Sequence, residues 1–189
     1  MDQNITLIND LRDGQVAVIL TDTLYGIVAS AANPEAVSRI YALRRRKPSK
    51  PCIILISELS QLDGLGIAPT AHQKAMIEHY WPNPISIILP TDRSDLKYLH
   101  RGTNALAIRL PNSLELRQLI SQTGPLIAPS ANHEGFPPAE TIKQAKDYFG
   151  DEPAHYIDGG LRQGQPSGLI DLTGVTPIIL RPLPDGLTF

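Results

Sequence analysis

A basic segment is the feature of this sequence that most directly suggests chemistry. Between Arg39 and Lys50, twelve residues contain six Lys or Arg and no acid, although the whole chain has 17 Lys and Arg against 19 Asp and Glu. Like charges this close repel one another unless an anion lies among them. The segment separates a helical pattern from an apolar strand pattern, so we expect it to be folded and to face a defined anionic target. The alternative is a solvated helix end, where cations suit the negative pole of the helix dipole.

Further candidate site residues are polar side chains at the ends of predicted strands. They are Thr21, Asp22, Thr23, Arg109, Ser130, Asn132, Ser167 and Arg181. Taken singly, such a hydroxyl can satisfy a turn and such an arginine can form a structural ion pair. Taken together, hydroxyls and cations at strand ends suit a polyanion such as a nucleoside triphosphate. The five histidines are scattered, so we expect no protein metal site.

Length and composition indicate one globular domain, residues 1–189. Hydrophobic residues make up 42% of the chain, an ordinary share for a packed core. The only cysteine, Cys52, excludes an internal disulfide framework and fits a reducing compartment. The chain shows neither a signal-peptide pattern nor an apolar run near the roughly 18 residues of a membrane span. We therefore expect a cytoplasmic protein with no membrane partner.

Apolar runs and helix signals alternate along the chain and predict a mixed α/β domain. The predicted strands are residues 16–20, 24–29, 52–56, 85–89, 106–110, 126–128, 155–157, 169–172 and 178–180. One helix is predicted to begin at Asn33, and three more are predicted over residues 70–80, 113–122 and 141–149. Several strands follow one another with little room for a crossover helix, which favours antiparallel pairs.

Ordered motifs resemble those of the YrdC-like family, the threonylcarbamoyl-adenylate synthases, over about residues 10–182. Residues 21–26 (TDTLYG) resemble the family's P-T-[DE]-T-x-Y-G motif. Residues 44–51 (RRRKPSKP) resemble K-x-R-x-x-x-K-P, and residues 128–135 (APSANHEG) resemble A-x-S-A-N-x-S-G. Segments similar to the other family motifs follow in order at 81–84, 107–111, 157–160, 166–171 and 180–182.

The resemblance implies a fold and a reaction. The fold is a twisted mixed β-sheet flanked by helices, with a concave basic channel, in the short single-domain form. The reaction joins L-threonine, bicarbonate or CO2, and ATP into threonylcarbamoyl-adenylate and pyrophosphate, which makes the enzyme a nucleotidyltransferase. A separate threonylcarbamoyl transferase machinery then modifies adenosine 37 of tRNA. Mg²⁺ is expected to accompany ATP, held mostly by the phosphates.

The resemblance also implies roles for individual residues. Arg44, Arg46 and Lys50 are the catalytic candidates, because they would stabilise charge on the triphosphate and the carbamate. The implied ATP-binding residues are Arg46, Lys50, Ser130, Asn132 and Arg181. The implied threonine-binding residues are Thr23, Tyr25, Arg109, Ala128 and Ser167, with Arg109 holding the carboxylate. The carbamate of threonine is itself a nucleophile, so the reaction needs no nucleophilic side chain.

Two alternatives stay open at this point. The chain departs from the family motifs at several positions, which allows a divergent paralogue with altered activity. These positions are Leu20, Arg44, Leu55, Asn83, Pro138 and Gly168. The rival function is a non-catalytic RNA-binding paralogue, whose basic channel would contact RNA phosphates. The net charge of −2 and the lack of a second basic stretch argue against it; a weak tRNA contact through the channel is still expected.

Overall fold

A nine-stranded mixed sheet organises residues 3–187, which the computed structural model describes. The strands are β1 (Ala17–Leu20), β2 (Tyr25–Ser30), β3 (Ile53–Leu55), β4 (Ile85–Pro90), β5 (Ala105–Arg109), β6 (Leu126–Ile127), β7 (His155–Tyr156), β8 (Gly168–Asp171) and β9 (Ile178–Arg181). The helices are α1 (Gln3–Arg12), α2 (Pro34–Leu43), α3 (Gln61–Gly64), α4 (Ala71–Tyr80), α5 (Lys97–His100), α6 (Leu114–Thr123) and α7 (Ile142–Phe149). The predicted α/β class is confirmed.

The sheet contains antiparallel strands joined by short turns and parallel pairs of strands that are far apart in sequence. Its spatial order is β7-β1-β2-β6-β3-β5-β4-β8-β9. Strands β1 and β2 are antiparallel, as expected for neighbours joined by a short turn. The parallel pairs β1/β7, β3/β5 and β4/β8 join strands that are far apart in sequence. The predicted antiparallel pairing is therefore confirmed for part of the sheet, and the whole sheet is mixed.

Local sequence signals explain where two of the predicted helices begin. The side-chain oxygen of Asn33 accepts hydrogen bonds from the backbone N–H groups of Glu35 and Ala36, each at 3.0 Å, and so caps α2. Thr70 and Gln73 form a reciprocal capping box at the start of α4. These side chains satisfy N–H groups that the first turn of a helix leaves without partners.

Apolar side chains pack on both faces of the sheet, because alternate residues of a strand point to opposite sides. On β2, Ile27 belongs to the larger core cluster, which includes buried residues of α2 and α4. The next residue, Val28, belongs to a second cluster with Leu7, Leu11 and Ile120 from α1 and α6. Helices consequently cover both faces. None of the helices between residues 3 and 187 combines the length and the apolar character needed to span a bilayer.

The structure contains three helices that the sequence analysis did not predict. Helices α3 and α5 have four residues each, too few to show a helical period. Helix α1 has ten residues but carries Asn and Thr, which are weak helix formers, between its apolar positions. It is stabilised by tertiary packing, since Leu11 is fully buried against the second core cluster.

The capping box of α4 provides a test of this local account. Thr70→Ala should lower the free energy of unfolding by about 1 kcal/mol, because the first turn loses an acceptor for the Gln73 N–H. Ser60 precedes α3 without making a side-chain capping bond, so Ser60→Ala is the matched control. Urea denaturation of both variants measures the difference. An equal loss in the two variants would contradict the assigned cap.

Candidate functional site

The C-terminal end of α2 is tied to the loop after β6 by Arg44, which is only 3% exposed. Its Nε donates to the Asn132 carbonyl at 3.1 Å. Its Nη2 donates to Asn132 Oδ1 at 2.9 Å and to Ser130 Oγ at 3.2 Å. Burial and the neighbouring Arg46 lower the pKa of Arg44 to about 10, so the guanidinium stays charged at neutral pH. Arg44 thus places two predicted ATP-binding residues beside the basic segment.

The loop after β6 is held by its own side chains. Ser130 Oγ donates to Asn132 Oδ1 at 2.6 Å. Asn132 Nδ2 donates to the carbonyls of His133 and Phe136, at 2.8 and 2.7 Å. The amide of Asn132 is therefore fully used by the loop and by Arg44, whereas Ser130 also lines the neighbouring cavities.

The anion that the basic segment requires is supplied in part by Glu134. Its Oε1 lies 2.7 Å from Lys50 Nζ, and its Oε2 accepts the Lys47 backbone N–H at 2.6 Å. The Lys50 ammonium and the Lys47 N–H lower the pKa of Glu134 to about 2. Arg46 closes the same turn by donating to the carbonyls of Lys50 and Pro51. The sequence analysis missed Glu134, which lies 84 residues beyond Lys50.

A cavity of about 530 Å³ opens beside these groups. Three arginines line it, Arg44, Arg46 and Arg181, together with Ser130. Lys50 and Asn132 are not among its lining residues. The large cavity thus collects three of the five predicted ATP-binding residues, and Arg44 with them.

A second, smaller cavity of about 70 Å³ adjoins the large one. Its lining includes all five residues predicted to bind threonine, namely Thr23, Tyr25, Arg109, Ala128 and Ser167. The two cavities share Ile53, Pro129, Ser130 and Arg181 as lining residues, so they are adjacent compartments of one site. The sequence motifs, which are distributed over the whole chain, therefore meet at one place.

Arg109 enters the small cavity from β5 as half of a buried ion pair. Its Nη2 donates to Asp22 Oδ1 at 2.8 Å, and the two side chains are 4% and 5% exposed. Burial lowers the pKa of Arg109, while Asp22 opposes the shift. Arg109 Nε and Asp22 Oδ2 have no hydrogen-bond partner among the described residues. Asp22 therefore compensates the charge of the Arg109 guanidinium, while the buried Nε–H is left without a partner.

Arg181 connects the two cavities and is fixed by Ser167. Its Nε donates to the Ser167 carbonyl, and its Nη2 donates to Ser167 Oγ at 3.0 Å. Ser167 Oγ also lies 2.9 Å from Ser86 Oγ on β4. Burial and the nearby Arg109 lower the pKa of Arg181. Because Asp22 compensates the charge of Arg109, the guanidinium of Arg181 gives the small cavity an excess positive charge that favours an anion.

Two side chains form hydrogen bonds between the segment that follows β7 and residues 21–26 (TDTLYG). Tyr25 donates its hydroxyl to the Gly160 carbonyl at 2.7 Å and accepts the Gly159 N–H at 2.8 Å. Arg162 donates to the carbonyls of Thr23 and Asp22, at 2.8 and 2.7 Å. Arg162 lines neither cavity but holds the backbone of two residues of the site. The sequence analysis missed it, because nothing in its surroundings repeats or has a recognisable spacing.

The two compartments can hold two anions side by side with arginine groups around and between them. Such an arrangement orients the anions and stabilises charge that develops during reaction. Among the described residues, no group of three or more His, Cys, Asp or Glu could hold a metal ion. The arginines that line the two compartments favour group transfer between bound anionic substrates.

Comparisons with known proteins agree with this geometry. The Sua5/YciO/YrdC family model, described as "Telomere recombination", matches residues 9–182. The "Threonylcarbamoyl-AMP synthase" of Bacillus subtilis is 34% identical over 176 residues, which are 91% of this chain and 51% of that protein. The protein of the same name from Chromohalobacter salexigens is 32% identical over 165 residues, 86% of this chain and 88% of its own length.

A solved structure is similar over the same region. It is titled "Crystal structure of P. abyssi Sua5 complexed with L-threonine" and superposes with a TM-score of 0.88 at 30% identity. The match covers 95% of this chain and 53% of the Sua5 chain. This chain thus spans about half the length of the B. subtilis and P. abyssi relatives.

Arg44 should contribute to stability in a way that its neighbour Arg45 does not. In Arg44→Lys, one ammonium replaces a planar group that reaches three acceptors, so we expect a loss of about 1–2 kcal/mol in the free energy of unfolding. Arg45 is exposed, and Arg45→Lys should change stability by less than about 0.5 kcal/mol. Thermal and urea unfolding of the pair provide the measurement. Unchanged stability in Arg44→Lys would show that these hydrogen bonds do not hold the loop.

Proposed function

Because the chain belongs to the Sua5/YciO/YrdC family, we propose that it is a threonylcarbamoyl-AMP synthase. It joins L-threonine, bicarbonate or CO2, and ATP, and it releases pyrophosphate. The observation that carries this proposal is the small cavity lined by all five candidate threonine residues, which opens onto a larger cavity lined by three arginines. The relatives that bear this name support the same assignment.

The reaction fits a site that contains cations and hydroxyls. The amine of threonine combines with CO2 to form a carbamate, and a carbamate oxygen attacks the α-phosphorus of ATP. The new bond joins that oxygen to phosphorus, the α–β phosphoanhydride bond breaks, and pyrophosphate leaves with the electron pair. Charge moves onto the leaving phosphates, so the protein's task is to position two anions and to stabilise that charge.

The large cavity is the proposed nucleotide compartment. Arg46 and Arg181 would contact the triphosphate, and Ser130 would present its hydroxyl beside them. Arg44 also lines this cavity, and its hydrogen bonds hold Ser130 and Asn132 in place. Arg181 also lines the small cavity, and it is therefore suited to the junction between the carbamate and the α-phosphate.

The small cavity is the proposed threonine compartment. Arg109 would hold the threonine carboxylate with its guanidinium group, while Asp22 retains its bond to Nη2. Thr23 and Ser167 would contact the amino acid, with the Ala128 carbonyl beside them. The hydroxyl of Tyr25 already binds the segment at Gly159 and Gly160, so Tyr25 contributes the wall of the cavity.

The remaining reactants and partners are expectations from the reaction. Mg²⁺ would arrive with ATP and be held chiefly by its phosphates; Asp171 is the one carboxylate among the residues that line the large cavity. The product would pass to a threonylcarbamoyl transferase machinery acting on adenosine 37 of tRNA in the cytoplasm, and we propose only a weak direct RNA contact. Nothing in the comparisons supports the alternative of a non-catalytic RNA binder.

Pyrophosphate release tests the proposed reaction. We expect pyrophosphate to form only when ATP, L-threonine and bicarbonate are all present, because the attacking group is the carbamate. A coupled pyrophosphate assay with each reactant omitted in turn is the measurement, and mass spectrometry identifies the adenylate. ATP cleavage that proceeds equally well without threonine would refute the assignment.

A substitution of Arg109 should affect the binding of threonine and leave the binding of ATP nearly unchanged. Arg109→Lys keeps the charge but loses the planar group that can serve Asp22 and a carboxylate together. The threonine requirement should rise about tenfold, equivalent to about 1.4 kcal/mol, with ATP affinity nearly unchanged. Arg93→Lys, which alters an exposed arginine paired with Asp95, is the control. Separate titration of each substrate decides the point, and a loss confined to ATP would give Arg109 a different role.

A further inference from the structure

The carboxylate of Glu134 lies in the loop that we assign to the nucleotide phosphates. Residue 134 corresponds to the second serine of the A-x-S-A-N-x-S-G motif that residues 128–135 resemble. A carboxylate here is unexpected, because it places negative charge beside a proposed site for a polyanion. Repulsion between this carboxylate and the nucleotide phosphates would weaken binding, so the presence of Glu134 needs a physical explanation.

Both oxygens of Glu134 are engaged by groups of the basic segment. One contacts the Lys50 ammonium at 2.7 Å, and the other accepts the Lys47 backbone N–H at 2.6 Å. The backbone N–H of Glu134 donates to the Arg44 carbonyl at 2.8 Å, which fixes the loop against the end of α2. An ammonium and a backbone N–H are also the donors that commonly bind a phosphate group.

Lys50 is the more exposed member of this arrangement. Its side chain is 55% exposed, against 19% for Glu134, and it ends a flexible four-carbon stem. Lys50 is not among the lining residues of the large cavity, whereas Arg46 and Pro51 on either side of it are. The Lys50 carbonyl accepts a hydrogen bond from Arg46, which holds the backbone in place, so rotation of the exposed side chain alone can move the ammonium from Glu134 to another anion.

We propose that Glu134 is a resident counter-anion that the nucleotide phosphates displace from Lys50 and that recaptures Lys50 when pyrophosphate leaves. This inference rests on the proposed function, because it assigns the displacing anion to ATP. An exposed ion pair contributes little net free energy, so the exchange costs little in either direction. Glu134 therefore weakens the binding of ATP and speeds the release of pyrophosphate.

The test replaces Glu134 by the neutral residue of the same shape. Glu134→Gln should lower the KM for ATP about three- to tenfold, which corresponds to the removal of one nearby competing charge. It should lower the inhibition constant of pyrophosphate by a similar factor without raising kcat. Glu78→Gln, which makes the same charge change on an exposed residue of α4, should leave all three quantities unchanged. A merely structural Glu134 would instead raise the KM for ATP when replaced.

Two further measurements keep the inference separate from the proposed reaction. Calorimetric titration with inorganic pyrophosphate reports the exchange without any turnover. Tighter pyrophosphate binding by Glu134→Gln in a protein that makes no threonylcarbamoyl-AMP would support the exchange and refute the reaction. In a Lys50→Met background, Glu134→Gln should improve binding less than in the native background. An equal improvement in both backgrounds, or an increased KM for ATP, would overturn the role of Glu134.

Discussion

A guanidinium group buried without partners costs several kcal/mol, and two arginines of this chain are each only 3% exposed. Arg44 meets this constraint with acceptors from the loop after β6, and Arg109 meets it with Asp22. Each solution connects parts of the chain that are more than 80 residues apart. The requirement to satisfy these charges therefore fixes the relative positions of α2, β5, the turn between β1 and β2, and the loop after β6. Those are the elements that surround the two cavities.

The same constraint explains how the polar groups that line the two cavities are held in place. Arg181 is held by the carbonyl and the hydroxyl of Ser167, and Ser167 in turn contacts Ser86 on β4. Each guanidinium is oriented before any ligand arrives, which limits the reorganisation needed when an anion binds. The catalytic arrangement that we propose thus uses the hydrogen bonds that already stabilise the fold.

Much of the fold could be predicted from the sequence because its signals are local. The cap at Asn33, the capping box of Thr70 and Gln73, and the apolar runs of the strands each act within a few residues, and the corresponding elements are found in the structure. The ordered motifs also identified residues that line one small cavity. The pairings of Asp22 with Arg109 and of Glu134 with Lys50 were not predictable in this way. They depend on the order of strands in the sheet, which no short-range pattern encodes.

The site depends on strand β9, which lies at the edge of the sheet. It is the last strand of the sheet order, and its residues Ile178, Ile179 and Leu180 are 45–56% exposed. Arg181, the arginine that lines both compartments, is the final residue of this strand. Edge strands fray more readily than central ones, since fewer contacts oppose their opening. Local opening of this one edge strand would therefore withdraw the same guanidinium from both compartments at once.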